Sequence, residues 1–145
     1  MASSNGHKSL IDLLPAREFD VKIEIKGQAE PVVIPCRALS YKRYQEIRRL
    51  IPETPVPAMG GPRGKIYDTE NPEYKQKRTE ANEQRNYLCL AEFIQADIPG
   101  DSLQDRADWL ANNMEMGIVN ELLSQMLGTV ENGRAAIEGR AATFH

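Results

Sequence analysis

Apolar and polar residues alternate strictly over residues 19–26 of the chain. A period of two predicts a β-strand with one buried face. After a short polar connection, residues 32–34 form a second apolar run, which lies between Pro31 and Pro35. Prolines cannot donate to a central ladder, so this run fits an edge strand. We therefore predict a β-hairpin over about residues 19–35.

Helical spacing of apolar residues replaces this alternation further along the chain. Ser40 is a suitable N-cap for a helix that Pro52 would end. Asn71, followed directly by a proline, predicts the start of a second helix that can run to about Ala96. Its first half is polar, so only its second half is expected in the core. Ser102 predicts the start of a third helix.

The segment between the first two helices is rich in helix and strand breakers. Residues 52–65 contain four prolines and three glycines, and we predict a mobile loop. Residues 1–8 are predicted to be a disordered tail and residues 131–145 a disordered or frayed one. Residues 9–130 then form a single domain. Its predicted fold is mainly α with an N-terminal β-hairpin (α+β), in which the helices pack around a small aliphatic core.

The last predicted helix ends at Gly128 and carries an apolar stripe that is the candidate partner-binding surface. The stripe is wider than one packing partner usually requires, and methionine suits an adaptable groove. Two interpretations remain open: the helix faces the core, or the stripe docks an apolar client or a second copy of the chain. The candidate residues are Ile118, Val119, Leu122, Leu123, Met126 and Leu127.

Charge is distributed unevenly along the chain, whose formal net charge is only -3. Residues 35–91 contain eleven Lys or Arg against seven acids, whereas residues 92–131 contain eight acids and one Arg. Solvated helix faces of opposite charge explain this distribution, and attraction within the molecule or between copies is the alternative.

Side chains suited to catalysis or metal binding are few. His7 and His145 lie in the terminal tails, where nothing is expected to hold a ligand or a general base in place. Cys36 and Cys89 have no partner at metal-ligand spacing and are typical of small buried hydrophobes in a reducing compartment. We therefore predict no enzymatic activity, no metal and no cofactor.

Other classes of partner are disfavoured by the same survey. The basic residues of one segment could meet phosphates, but acidic late helices argue against a unit that reads a nucleic-acid groove. Apolar runs fall short of the roughly 20 residues of a membrane span, and the first residues lack a secretion signal. These patterns favour a cytoplasmic protein that binds other proteins. The basic residues, with two interleaved tyrosines, are Arg37, Tyr41, Lys42, Arg43, Tyr44, Arg48 and Arg49.

The order of these parts resembles the tail assembly chaperones of long-tailed bacteriophages over about residues 14–130. The similar segments are LPARE at 14–18, VIPCRALSYKRY at 33–44, DTENPEY at 68–74, YLCLA at 87–91, and Trp109 followed by MGIVNEL at 116–122. The match concerns layout rather than a sharp motif, so no residue set is carried over as a site.

The resemblance implies a protein that binds the tape-measure protein, keeps it soluble and helps to recruit tail-tube subunits around it. It also implies self-association, a place in the host cytoplasm and absence from the mature virion. A permanent structural subunit of a phage tail or connector is the alternative, and a small DNA-binding regulator is a third possibility.

Overall fold

The computed structural model describes residues 18–61 and 64–143 of the chain. Within them the protein is mainly helical with an N-terminal β-hairpin, which confirms the predicted α+β class. The predicted tail of residues 1–8 lies outside the described residues. The elements in chain order are β1 (Glu18–Ile23), β2 (Val32–Arg37), α1 (Tyr41–Arg48), β3 (Ala58–Gly61), β4 (Gly64–Tyr67), α2 (Pro72–Phe93), α3 (Leu103–Asn113) and α4 (Met116–Thr143).

Strands β1 and β2 form the predicted antiparallel hairpin. Val21 pairs with Ile34, and Ile23 pairs with Val32. Alternate side chains point to opposite faces of a strand, so Val21, Ile23, Ile34 and Cys36 are buried on one face while the residues between them are exposed. The alternation in the sequence thus decides which face of the hairpin meets the helices.

Side-chain oxygens cap the first three helices at the positions expected from the sequence. Ser40, Asn71 and Ser102 each accept a hydrogen bond from the backbone N–H three residues later. Each bond satisfies an amide that the first helical turn leaves unpaired. The donors are Arg43, Tyr74 and Asp105, at 3.1, 3.1 and 3.0 Å respectively.

Helix α2 is central to the packing, because it contacts α1, α3, α4 and β2. Its second half supplies a group of buried side chains, as predicted: Leu88, Cys89, Leu90, Ala91 and Phe93. The ring of Phe93 meets the edge of Phe19 from β1, with centroids 5.7 Å apart. The core therefore lies between the first hairpin and the four helices, and it is mostly aliphatic.

Part of the segment predicted as a mobile loop (residues 52–65) forms a second hairpin, so the loop prediction is wrong for residues 58–61 and 64–65. Strands β3 and β4 pair antiparallel, with Met59 opposite Ile66. The prolines at 52, 55 and 57 precede β3, so they remove no donor from the ladder. Gly64 has a φ of 114°, a left-handed conformation that glycine adopts without strain in a tight connection.

Helix α4 extends further than the sequence predicts. The break before it lies at Met114, and Gly117 and Gly128 are both inside the helix. Gly128 does not have the positive φ of a glycine that ends a helix, so its prediction as the C-terminal glycine is wrong. A glycine inside a helix costs only about 1 kcal/mol, and no proline follows. Consequently, the predicted disordered or frayed tail of residues 131–145 is helical up to Thr143.

Candidate partner-binding surfaces

The apolar stripe of α4 does not form a single exposed surface. Val119, Leu122 and Met126 are buried in the core, where α4 contacts α1, α2 and β1. Ile118 and Leu123 are partly buried against the same core. The burial favours the core-facing interpretation for these five residues.

Helical spacing explains why the stripe divides in this way. Positions 119, 122, 126 and 130 follow one face of a helix, and all four are buried. Leu127 lies beside this row and is 40% exposed. Of the six candidate residues, Leu127 is thus the one whose side chain is classed as exposed to solvent.

Apolar side chains that are more exposed than Leu127 lie on the second hairpin, which we call the arm (residues 58–67). Met59 is 58% exposed, Ile66 68% and Tyr67 62%. Because Met59 and Ile66 are directly opposite, they lie on one face of the arm, and Tyr67 lies on the other. Among the described residues, β3 and β4 contact each other but no other strand or helix. The arm therefore presents apolar surface that no other described strand or helix covers.

The base of the arm is tied to the start of α2. The backbone N–H of Asp68 donates to the carbonyl oxygen of Pro57 at 2.8 Å, which joins the two connecting segments. The side chain of Asp68 then accepts from the N–H of Glu70 at 3.2 Å, just before the Asn71 cap. The arm thus leaves the body of the protein at one fixed point.

The basic segment noted in the sequence is split by the fold. Arg37 pairs with Glu18 at 3.2 Å, and Arg43 pairs with Glu92 at 3.1 Å. These contacts hold two of its arginines near acids, and the Glu92 contact raises the pKa of Arg43. The predicted patch is therefore not one continuous basic surface.

Two other arginines of that segment line a cleft together with arginines of α2. The cleft has a volume of about 490 Å³, and we call it the arginine cleft. One carboxylate, that of Glu53, also lines it. The arginines are Arg48, Arg49, Arg78 and Arg85.

A second polar cleft, of about 510 Å³, lies where the end of β2 meets α2 and α3. Its charged residues are of both signs, and the Arg43–Glu92 ion pair lies within it. Its lining includes no histidine or cysteine. The charged residues are Arg37, Arg43, Glu92, Asp97 and Arg106.

The two cysteines are free and buried, at the places where β2 and α2 enter the core. Burial raises the pKa of Cys36 to about 12, with a further contribution from the charge of Asp20. Burial also raises the pKa of Cys89 to about 11, although nearby Arg48 opposes the change. Both groups are thiols rather than thiolates at neutral pH, so neither is activated as a nucleophile.

Residues 18–61 and 64–143 contain neither a cluster of metal ligands nor a membrane-spanning helix. No group of three or more His, Cys, Asp or Glu in this part of the chain could hold a metal ion. Its helices are also too short or too polar to cross a bilayer. His7 and His145, which the sequence placed in the tails, lie outside the described residues.

Neither the arm nor the arginine cleft was predicted from the sequence. Apolar residues on both sides of Gly60, Gly61 and Gly64 are a usable signal for the arm, because glycine-containing connections between short apolar runs favour hairpins. Arg78 and Arg85 are seven residues apart on α2, a spacing that places them on one face. The contribution of α1 to the cleft has no such local signal.

Comparisons with protein-family models, with curated proteins and with solved structures found no match to this chain.

Proposed function

We propose that this protein is a tail assembly chaperone of a long-tailed bacteriophage. It binds the tape-measure protein, keeps it soluble and helps to recruit tail-tube subunits around it. The order of segments in the sequence supports the family, and the arm is the observation that carries the binding role. Such a chaperone acts in the host cytoplasm and leaves before the particle is complete.

The arm suits an apolar client in three respects. Met59 and Ile66 offer adjacent apolar side chains on one face, and Tyr67 offers an aromatic one on the other. A methionine side chain is flexible and polarizable, so it adapts to clients of varied shape. Covering solvent-exposed apolar groups of this kind contributes about 25 cal/mol of favourable binding free energy for each Å² that the client removes from water.

The backbone of the arm can also adjust to a bound client. A two-stranded hairpin that no other described element packs against is only marginally stable, and the outer edges of β3 and β4 pair with no other described strand. A client segment can therefore bury the arm's side chains and pair with an edge strand. The core, which contains Val119, Leu122 and Met126 of the α4 stripe, does not have to open for this binding.

Co-expression with the tape-measure protein tests the proposal. We expect the intact chain to move the tape-measure protein from the insoluble to the soluble fraction. The double variant Met59→Gln and Ile66→Thr should lose this effect, because it removes apolar surface while keeping residues that the hairpin tolerates. Quantitative blotting of both fractions measures the outcome.

Leu50→Gln is the matched control, because Leu50 is exposed and apolar but lies just after α1, outside the arm. The Leu50→Gln variant should keep as much tape-measure protein in the soluble fraction as the intact chain does. The proposal is contradicted if the tape-measure protein stays insoluble with the intact chain. An arm variant that is folded and fully active would contradict the role of the arm.

Mass spectrometry of purified particles distinguishes the chaperone from a permanent subunit of the tail or connector. A chaperone should be absent from mature virions and present in lysates collected during assembly. Stoichiometric amounts in the particle would favour the structural alternative.

A further inference from the structure

The arginine cleft combines positive charges from two helices that are distant in sequence. Arg48 and Arg49 lie at the end of α1, whereas Arg78 and Arg85 lie on one face of α2. Arg48 is held by a hydrogen bond from Nη1 to Asn86 at 3.0 Å, and its guanidinium lies 5.3 Å from the ring centre of Tyr44. The cleft therefore depends on the packing of α1 against α2.

Arg85 fixes the floor of the cleft. It is only 5% exposed, and its guanidinium donates to the carbonyl oxygens of Ile51 and Pro52, at 2.9 Å for the latter. A further bond to Asn82 at 2.8 Å orients the group. A buried guanidinium is usually matched by a carboxylate, yet Arg85 forms no ion pair within the described residues.

The positive charge of the cleft is only partly neutralised by nearby groups. In the described part of the chain, none of the four arginines forms an ion pair, and Arg49 and Arg78 make no side-chain hydrogen bond. One carboxylate, Glu53, lines the cleft, and the C-terminus of α1 adds about half a negative charge. A surplus of about two to three positive charges is left.

We propose that the arginine cleft binds a phosphate group. A phosphate monoester carries about -1.5 to -2 at pH 7, which matches the surplus better than the single charge of one carboxylate. Guanidinium groups bind phosphate oxygens with paired, charge-assisted hydrogen bonds, and Arg49 and Arg78 have their donors available. The volume of about 490 Å³ is in the range of small-molecule sites. This inference is independent of the proposed chaperone function.

Isothermal titration calorimetry of the full chain with sodium pyrophosphate, at low chloride concentration, tests the site. We expect saturable binding of one ligand per chain. The double variant Arg49→Gln and Arg78→Gln should weaken the affinity at least tenfold, since each charge-assisted hydrogen bond contributes about this much. Both side chains are exposed, so the thermal unfolding of the variant should match that of the intact chain.

Lys42→Gln is the matched control, because Lys42 is an exposed cation on α1 that does not line the cleft. It should bind pyrophosphate as the intact chain does. If the control lost as much affinity for pyrophosphate as the double arginine variant, the ligand would be held by the general positive charge of the surface and not by the cleft. That result would overturn the proposal. So would the absence of saturable binding, or an unchanged affinity in the double arginine variant.

Two further ligands identify the source of the phosphate. A fluorescent single-stranded oligonucleotide that binds more tightly than pyrophosphate, and depends on Arg49 and Arg78, would assign the site to a nucleic-acid backbone. An oligonucleotide that fails to bind would assign it to a free phosphate compound. A hexaglutamate peptide that binds through the same two arginines, and more tightly than pyrophosphate, would show a carboxylate partner and overturn the proposal.

Discussion

The α4 stripe and the arm contain similar apolar residues but differ in burial. Leu122 and Met126 of the stripe are fully buried, whereas Met59 and Ile66 of the arm are more than half exposed. Three elements contact α4 around the stripe, and among the described residues no other element contacts the arm.

This comparison shows that burial depends on neighbouring elements as well as on side-chain type. A helix with a continuous apolar row can pack against several partners at once, and each partner removes more surface from water. A hairpin of two four-residue strands has no interior of its own. The apolar residues of the arm therefore stay exposed because no other described element packs against them, whereas three elements cover most of the α4 stripe.

The largest expected effect is a loss of stability at Leu122. Replacing Leu122 with Ala should lower the free energy of unfolding by about 2–5 kcal/mol, because it leaves a cavity between α4 and its neighbours. Ile66→Ala on the arm should change it by less than about 0.5 kcal/mol. Urea unfolding followed by circular dichroism measures both. Similar values for the two variants would remove the distinction between the regions.

An intermediate effect is expected from the buried thiols on raising the pH. Both cysteines have a pKa above that of an unfolded thiol, about 9, so between pH 9 and 11 the unfolded state loses protons that the folded state retains. Stability should therefore be fully present below pH 9 and fall by about 1 kcal/mol per thiol at pH 10.

The double variant Cys36→Ala and Cys89→Ala provides the control for this effect. Its unfolding free energy should be lower at pH 8 but should vary less between pH 8 and pH 10. An equally steep decline in the variant would assign the pH dependence to other groups. Thiol reagents should also react with the intact chain at pH 8 only after it unfolds.

The smallest effect is expected from the arm itself. Replacing residues 58–67 with ten Gly and Ser residues should change the free energy of unfolding by less than about 1 kcal/mol, since the length of the connection is kept. The same urea titration measures it. A loss of several kcal/mol would mean that the arm packs on the core, contrary to its exposed position.

Local signals explain which parts of the fold could be predicted. The caps at Ser40, Asn71 and Ser102 act on amides within three residues, and the alternation in β1 is a property of the strand alone. These features need no knowledge of the rest of the molecule. They were sufficient for the fold class and for the starts of α1, α2 and α3.

The features that could not be predicted depend on pairing between distant residues. The burial of Val119 and Leu122 requires the positions of α1, α2 and β1, which a helical period does not supply. The arginine cleft requires Arg48 and Arg78, which lie at or on two different helices, to line the same cavity. In the arm, the many prolines and glycines favour a loop prediction. The strand register, with Met59 opposite Ile66, is visible only in the structure.

The hydrogen bond between Asp68 and Pro57 closes the base of the arm, so the chain enters and leaves it at almost the same place. The arm is thus an insertion whose length can change without moving the residues of the core. Doubling such a segment costs only about 0.6 kcal/mol in closure entropy. Related chains could therefore gain, lose or exchange this segment in evolution, and an epitope or a fluorophore could be grafted there without disturbing the rest of the protein.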